Sequence, residues 1–233
     1  MLRIYKPKNK NTQMSKIVKV KKEYSLFETA NAVKQQKPNL QYMPIDSASQ
    51  VARLVEKDCR IIGLTRGQFS LIDLIYSILQ HVGKSKVTCA TWSAGIKDAN
   101  TVKWMVDSDL IESFMLVTDH SYVTRQPKYA LQLTELFGKD NIRTSELHAK
   151  FVLIENESFK ITIRTSMNLN ANRTCENFEI DESESIFKFY KDFVLGTFGE
   201  MPVGFTANSK VVNSAIDRIF NNLDNEFKWM SNE

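Results

Sequence analysis

His148 and Lys150 stand two apart at the start of an apolar run, Leu147-His-Ala-Lys-Phe-Val-Leu-Ile-Glu155. Alternate residues of a strand share a face, so this spacing predicts an imidazole beside an ammonium. Ser166 and Asn168 repeat the spacing just past a second apolar run, Phe159–Arg164, and Asn156-Glu157-Ser158 between the runs is a hairpin signal. Paired as a hairpin, the two strands would bring all four polar side chains to one edge of a sheet. Such a set suits phosphodiester chemistry. An imidazole can attack phosphorus and form a covalent intermediate. A second histidine can protonate the leaving oxygen and then activate water. Lys and Asn supply fixed donors for the charged equatorial oxygens. This logic calls for no metal and no cofactor.

Strand and helix patterns that would position this cluster alternate from Asp46 onward. Helices are expected at Ser47–Lys57, at Leu71–Val82 behind the capping sequence Ser70-Leu-Ile-Asp73, at Asp98–Val106 and at Pro127–Phe137. Strands are expected at Cys59–Leu64, Lys86–Thr91, Ser113–Thr118 and Asn141–Thr144. The alternation favours an α/β fold with a mixed, largely parallel β-sheet and helices on both faces. After the hairpin come a short strand at Phe178–Ile180 and helices at Ser185–Leu195 and Val211–Met230. Val212, Ile216, Ile219, Phe220 and Leu223 recur at helical spacing in the last of these, a stripe for core or dimer packing.

The 233 residues are 42% hydrophobic and 25% charged, enough for one sizeable soluble domain with an appendage. Residues 1–45 are read as a basic N-terminal arm with a short helix at Tyr24–Gln36, and residues 46–233 as the main domain. The net charge of +4 is concentrated in residues 1–22, which hold eight Lys or Arg and no acid. Such an arm suits phosphates of a nucleic acid or of a membrane face, or is a solvated terminus. Cys59, Cys89 and Cys175 form no metal-ligand pattern and are expected as buried reduced thiols, which with the polar start predicts a cytoplasmic protein. No apolar stretch approaches the length that spans a bilayer.

His148-x-Lys150, Glu155 five places after the lysine, Ser166-x-Asn168 and the following Glu176 together resemble the HKD motif of the phospholipase D superfamily. The stretch Phe69–Gly95, a helix then a strand ending in an aromatic-serine turn, resembles the start of that superfamily's bacterial single-motif nucleases. The resemblance covers roughly residues 46–200. It implies an α-β-α sandwich of that type and a metal-independent phosphodiesterase, a nuclease, acting through a phosphohistidine. It implies His148 as nucleophile in one subunit and general acid/base in the other, Lys150 and Asn168 on the phosphate oxygens, and Ser166 in the phosphate pocket. Glu176 would orient the imidazole, and Glu155 would be structural where the family usually has Asp. Thr165 stands where the family has glycine, and nine residues separate it from Glu155, a longer hairpin than the family's. One motif per chain implies a homodimer, the commonest symmetric assembly. The expected partner is nucleic acid, DNA ahead of RNA, and not a membrane. His120, Trp92, Ser93, Arg125, Lys128 and Arg173 are candidate substrate contacts, each with an ordinary loop, core or solvated-face explanation beside it. His81 is expected at the carbonyls that end its helix. The competing functions are a nucleic-acid-binding protein without turnover, favoured by Thr165, and a phospholipid hydrolase.

Overall fold

A computed structural model describes residues 47–170 and 174–230 (the last seven by backbone only), all within the unit Tyr42–Glu233. The N-terminal arm, the Tyr24–Gln36 helix and Arg173 lie outside the described residues. Among the described residues, seven strands form one sheet: β1 Arg60–Thr65, β2 Ser85–Thr91, β3 Ile111–Asp119, β4 Ile142–Ser145, β5 Phe151–Glu155, β6 Lys160–Thr165 and β7 Glu176–Glu182. Their order is β1-β7-β6-β5-β2-β3-β4. The sheet is mixed, as expected, but it is less parallel than expected. Only β2–β3 and β3–β4 pair in parallel, and the other four neighbouring pairs are antiparallel. The four strands of the early β-α alternation do run one way. The β5–β6 hairpin and β7 insert between β1 and β2, however, so β1 meets an antiparallel neighbour.

Helices cover both faces. On one side α1 (Ala48–Ala52), α2 (Leu71–Val82), α3 (Ile96–Asp107) and α5 (Pro127–Phe137) pack on Val87, Cys89, Leu116, Val152, Ile163 and Phe178. On the other, α6 (Glu184–Glu200) covers Ala90, Val117, Phe151 and Leu153, the alternate residues of the same central strands. The period-2 pattern of β5 therefore feeds two cores. α7 (Ser209–Met230) rests on α6 through Val212, Ile219 and Leu223, while Phe220 is 41% exposed. α2 begins with the expected capping box, in which Ser70 N–H donates to Asp73 Oδ2 at 2.8 Å. Gly83 (φ 89°) and Gly138 (φ 77°) end α2 and α5 in backbone conformations that favour glycine. α1 stops at Ala52, short of the expected Lys57, because the chain turns back toward β7. Lys57 Nζ and the Asp58 N–H each meet the buried Glu182 carboxylate at 2.9 Å. Among the described residues, no helix is long and apolar enough to cross a membrane.

Gly63 of β1 faces Phe178 across the strand pair, and a Cβ there would lie 2.2 Å from the Phe178 ring. That ring is 1% exposed and meets Phe69 edge-on at 5.6 Å, so it has nowhere to move cheaply. Gly63→Ala is expected to cost about 1–3 kcal/mol of stability by overpacking. Urea unfolding of both proteins reads it as a lower midpoint at constant slope. The fold also corrects one cysteine expectation: Cys89 is buried and Cys59 partly buried, but Cys175 is exposed.

Candidate phosphodiesterase site

The start of β5 lies against the end of β6, with Phe151 opposite Arg164 and the Thr165 N–H donating to the Lys150 carbonyl at 3.1 Å. This register carries the expected convergence: His148 and Lys150 enter the sheet edge where Ser166 and Asn168 leave it. His148 through Lys150 belong to the connection before β5 rather than to the strand, so strand alternation does not set their directions. Instead Lys150 Nζ folds back to donate to the His148 carbonyl at 2.7 Å and stands 3.5 Å from His148 Nδ1. A pocket of about 390 Å³ opens here, walled by His148, Lys150, Thr165 and Ser166 and extended by Arg164, Asn177 and Tyr190.

Burial pulls the Lys150 ammonium below its ordinary pKa, against the opposing pull of Glu176. Glu176 takes the Ser166 hydroxyl on one oxygen and the Thr174 hydroxyl (2.8 Å) on the other. The Asn177 N–H donates to Ser166 Oγ at 3.0 Å, which fixes the serine further. Thr165 Oγ1 is turned to the backbone, donating to the Asn177 carbonyl at 2.6 Å and accepting from the Met167 N–H at 3.0 Å. Its side chain nevertheless lines the pocket where a glycine would leave more room.

Asn168 lies one strand over, toward the end of β2. The segment 168–170 runs beside 93–95: Gly95 N–H donates to Leu169 O at 2.7 Å, and Leu169 N–H to Ser93 O at 3.2 Å. Thr91, fully buried, has its hydroxyl 2.8 Å from Ser93 O and 3.4 Å from Asn168 Oδ1. The Ser93 carbonyl thus accepts from both Thr91 and Leu169, and Ser93 does not line the pocket. Trp92 comes within 5.9 Å of the His148 ring, centroid to centroid, and the Arg125 guanidinium lies over the indole at 3.7 Å. These two candidates are brought to the cluster. Lys128 is exposed on α5. His120 is pinned at the end of β3 by its N–H to Ser145 O (2.9 Å), and its Nδ1 is buried without a hydrogen-bond partner. His81 Nε2 meets the Val55 carbonyl at 2.9 Å, outside its own helix, rather than the helix-ending carbonyls expected.

No family model matches the chain, and no curated protein matches it in sequence. Several solved structures resemble it in fold, NucT, Nuc and a phosphatidylserine synthase among them. NucT from Helicobacter pylori is 16% identical with a TM-score of 0.45, over 63% of this chain and 99% of that one. Nuc from Salmonella typhimurium, described as a phospholipase D family member, is 8% identical with a TM-score of 0.44, over 64% and 99%. Phosphatidylserine synthase from Haemophilus influenzae is 11% identical with a TM-score of 0.45, over 64% of this chain and 40% of the synthase.

Sequence reasoning missed Thr91, Asn177 and Tyr190, which reach the site from β2, β7 and α6 through tertiary packing, and Arg164, which lies on the hairpin itself two residues before Ser166. Arg164 is held by Asp181 (2.6 Å) and Glu179 (2.7 Å) across β7, so its charge is largely spent inside the protein. Glu155, at the far end of β5 from His148, meets Lys160 at 3.2 Å and also pairs with Lys191. Burial pushes its carboxyl up, but Lys191 and then Lys160 outweigh that and hold it below its ordinary value. A carboxyl lowered by folding stabilises above its unfolded pKa, and that contribution disappears as pH falls through the folded value. Glu155→Gln is therefore expected to lose about 1–2 kcal/mol at pH 7. The gap between the two proteins should close below pH 4.5. Thermal melts of both across pH 3–7 check it.

Proposed function

We propose that the protein is a metal-independent phosphodiesterase of the phospholipase D type that cleaves nucleic acid through a phosphohistidine on His148. One observation carries this: His148, Lys150 and Ser166 wall a single pocket, with Glu176 bonded to Ser166 and Asn168 held nearby by Thr91. The His148 imidazole nitrogen attacks phosphorus, and the bond to the leaving oxygen breaks. That oxygen takes a proton from an imidazolium, supplied by His148 of the partner subunit in a twofold homodimer. The now neutral imidazole takes a proton from water, whose oxygen attacks phosphorus. The phosphorus–nitrogen bond breaks and the nucleophile is restored. Lys150 and Asn168 donate to the equatorial oxygens, and Ser166 lines the same pocket, its hydroxyl fixed by Glu176. Nucleic acid, DNA first, is the proposed substrate because residues 1–22 carry eight basic side chains and no acid.

The test is cleavage of plasmid, single-stranded DNA and RNA by the full chain in excess EDTA, beside headgroup release from phospholipid vesicles. Nucleic-acid cleavage in EDTA supports the proposal. Vesicle turnover alone would move the chemistry to lipid, and a need for divalent metal would overturn it.

A further inference from the structure

Asp119 ends β3, is 8% exposed, and belongs to no part of the phosphate pocket described above. Its carboxylate nevertheless joins the two loops that flank His148. Oδ2 accepts the N–H of Leu147, the residue before the histidine, at 3.2 Å. Oδ1 accepts the Ser121 N–H at 2.9 Å and the Ser121 hydroxyl as well. The Ser121 oxygen in turn accepts from Arg125 Nε at 3.0 Å. Arg125 Nη2 donates to the Trp92 carbonyl at 3.1 Å while its guanidinium covers the indole, and that indole stands beside the His148 ring. The contacts therefore close on themselves. One route from Asp119 ends at the backbone beside His148, and the other ends at its imidazole.

A nucleophile that attacks phosphorus must be held within a few tenths of an ångström of its line of approach. His148 is exposed and sits outside any strand, so neither core packing nor a sheet ladder holds it. We propose that Asp119 is the positioning residue of His148, fixing its main chain through Leu147 and its ring through Ser121, Arg125 and Trp92. The inference rests on the phosphodiesterase reading for its kinetic consequence, but its geometric content stands apart from that reading.

The experiment compares Asp119→Asn with the full-length parent protein. Asparagine keeps the size and one acceptor oxygen, but sets an NH2 group against one of the two loops. The expected result is a cooperative melt, a kcat on EDTA-resistant cleavage about 10²-fold lower, and an unchanged KM. The His148 imidazole signals in a nitrogen-15 spectrum, assigned by their loss in His148→Ala, should shift and broaden, while amide signals far from the loops stay in place. A merely structural residue would instead move stability and leave the imidazole alone. A folded Asp119→Asn with parental His148 signals and parental kcat overturns the proposal. If that variant does not fold, Arg125→Leu breaks the ring at an exposed side chain. A shifted His148 imidazole in it supports the device, and an unchanged one overturns it. A parent protein that cleaves nothing would defeat the phosphodiesterase reading while the imidazole spectra still decide this one.

Discussion

His148→Ala is expected to lose EDTA-resistant cleavage by at least about 10⁴-fold, because on the proposed mechanism it removes the atom that forms the covalent bond. No other histidine stands ready to replace it. The chain has three, and of the others His81 is committed to the Val55 carbonyl while His120 Nδ1 is buried. Stability should not change, since His148 is exposed and belongs to neither the sheet nor a core cluster. The parent protein, quenched during turnover, should carry a DNA adduct that is acid-labile, as a phosphoramidate is, and His148→Ala should carry none. Full activity in the alanine variant would place the chemistry elsewhere.

The same variant tests the shared site. If each twofold dimer builds one centre from two copies of His148, a dimer holding one mutant chain has no working centre. Parent and His148→Ala mixed in equal amounts and re-equilibrated should then keep about one quarter of the parent activity. Independent sites would keep about one half.

The cluster was legible in the sequence because it is local. His148, Lys150, Ser166 and Asn168 flank one hairpin, and the turn signal Asn156-Glu157-Ser158 between the two apolar runs fixes which ends meet. Helix boundaries at Leu71–Val82 and Pro127–Phe137 were legible for the same kind of reason, because Ser70, Gly83, Pro127 and Gly138 punctuate them. Strand order was not. Nothing within β5, β6 or β7 says that they insert between β1 and β2, since that choice is made by which faces the helices bury. Residues that reach the site across that order were equally hidden. Thr91 looks like an ordinary strand residue, and Asp119 is overshadowed in the sequence by its neighbour His120. What marks Asp119 is the pair of loops its carboxylate joins, a fact of tertiary contact. The length of α1 failed for a related reason: the Ser47–Lys57 periodicity is helical, but Glu182, far along the chain, competes for Lys57 and the Asp58 N–H.

Lys150 is expected to carry the next largest effect. Its ammonium donates to the His148 carbonyl and lines the same pocket as His148, and on the proposed mechanism it serves an equatorial phosphate oxygen there. Removing one such fixed donor typically costs about 10²–10³-fold in kcat, and Lys150→Met should fall in that range. Lys150→Arg keeps the charge, but a planar fork cannot reproduce a point donor bonded to the His148 carbonyl, so a loss of about 10-fold is expected. The pH profile separates charge from shape. Burial lowers the Lys150 pKa from 10.5. The ammonium is therefore lost as pH rises through a value below that figure, and kcat/KM, which reports the free enzyme, should fall on the alkaline side before pH 10.5. In Lys150→Arg the guanidinium stays charged, so the ratio of parent to Lys150→Arg kcat/KM should shrink as pH rises toward 10.5, because only the parent loses its cation at position 150 there. A ratio that stays constant across that range would assign no part of the alkaline fall to Lys150 and leave it a structural role only.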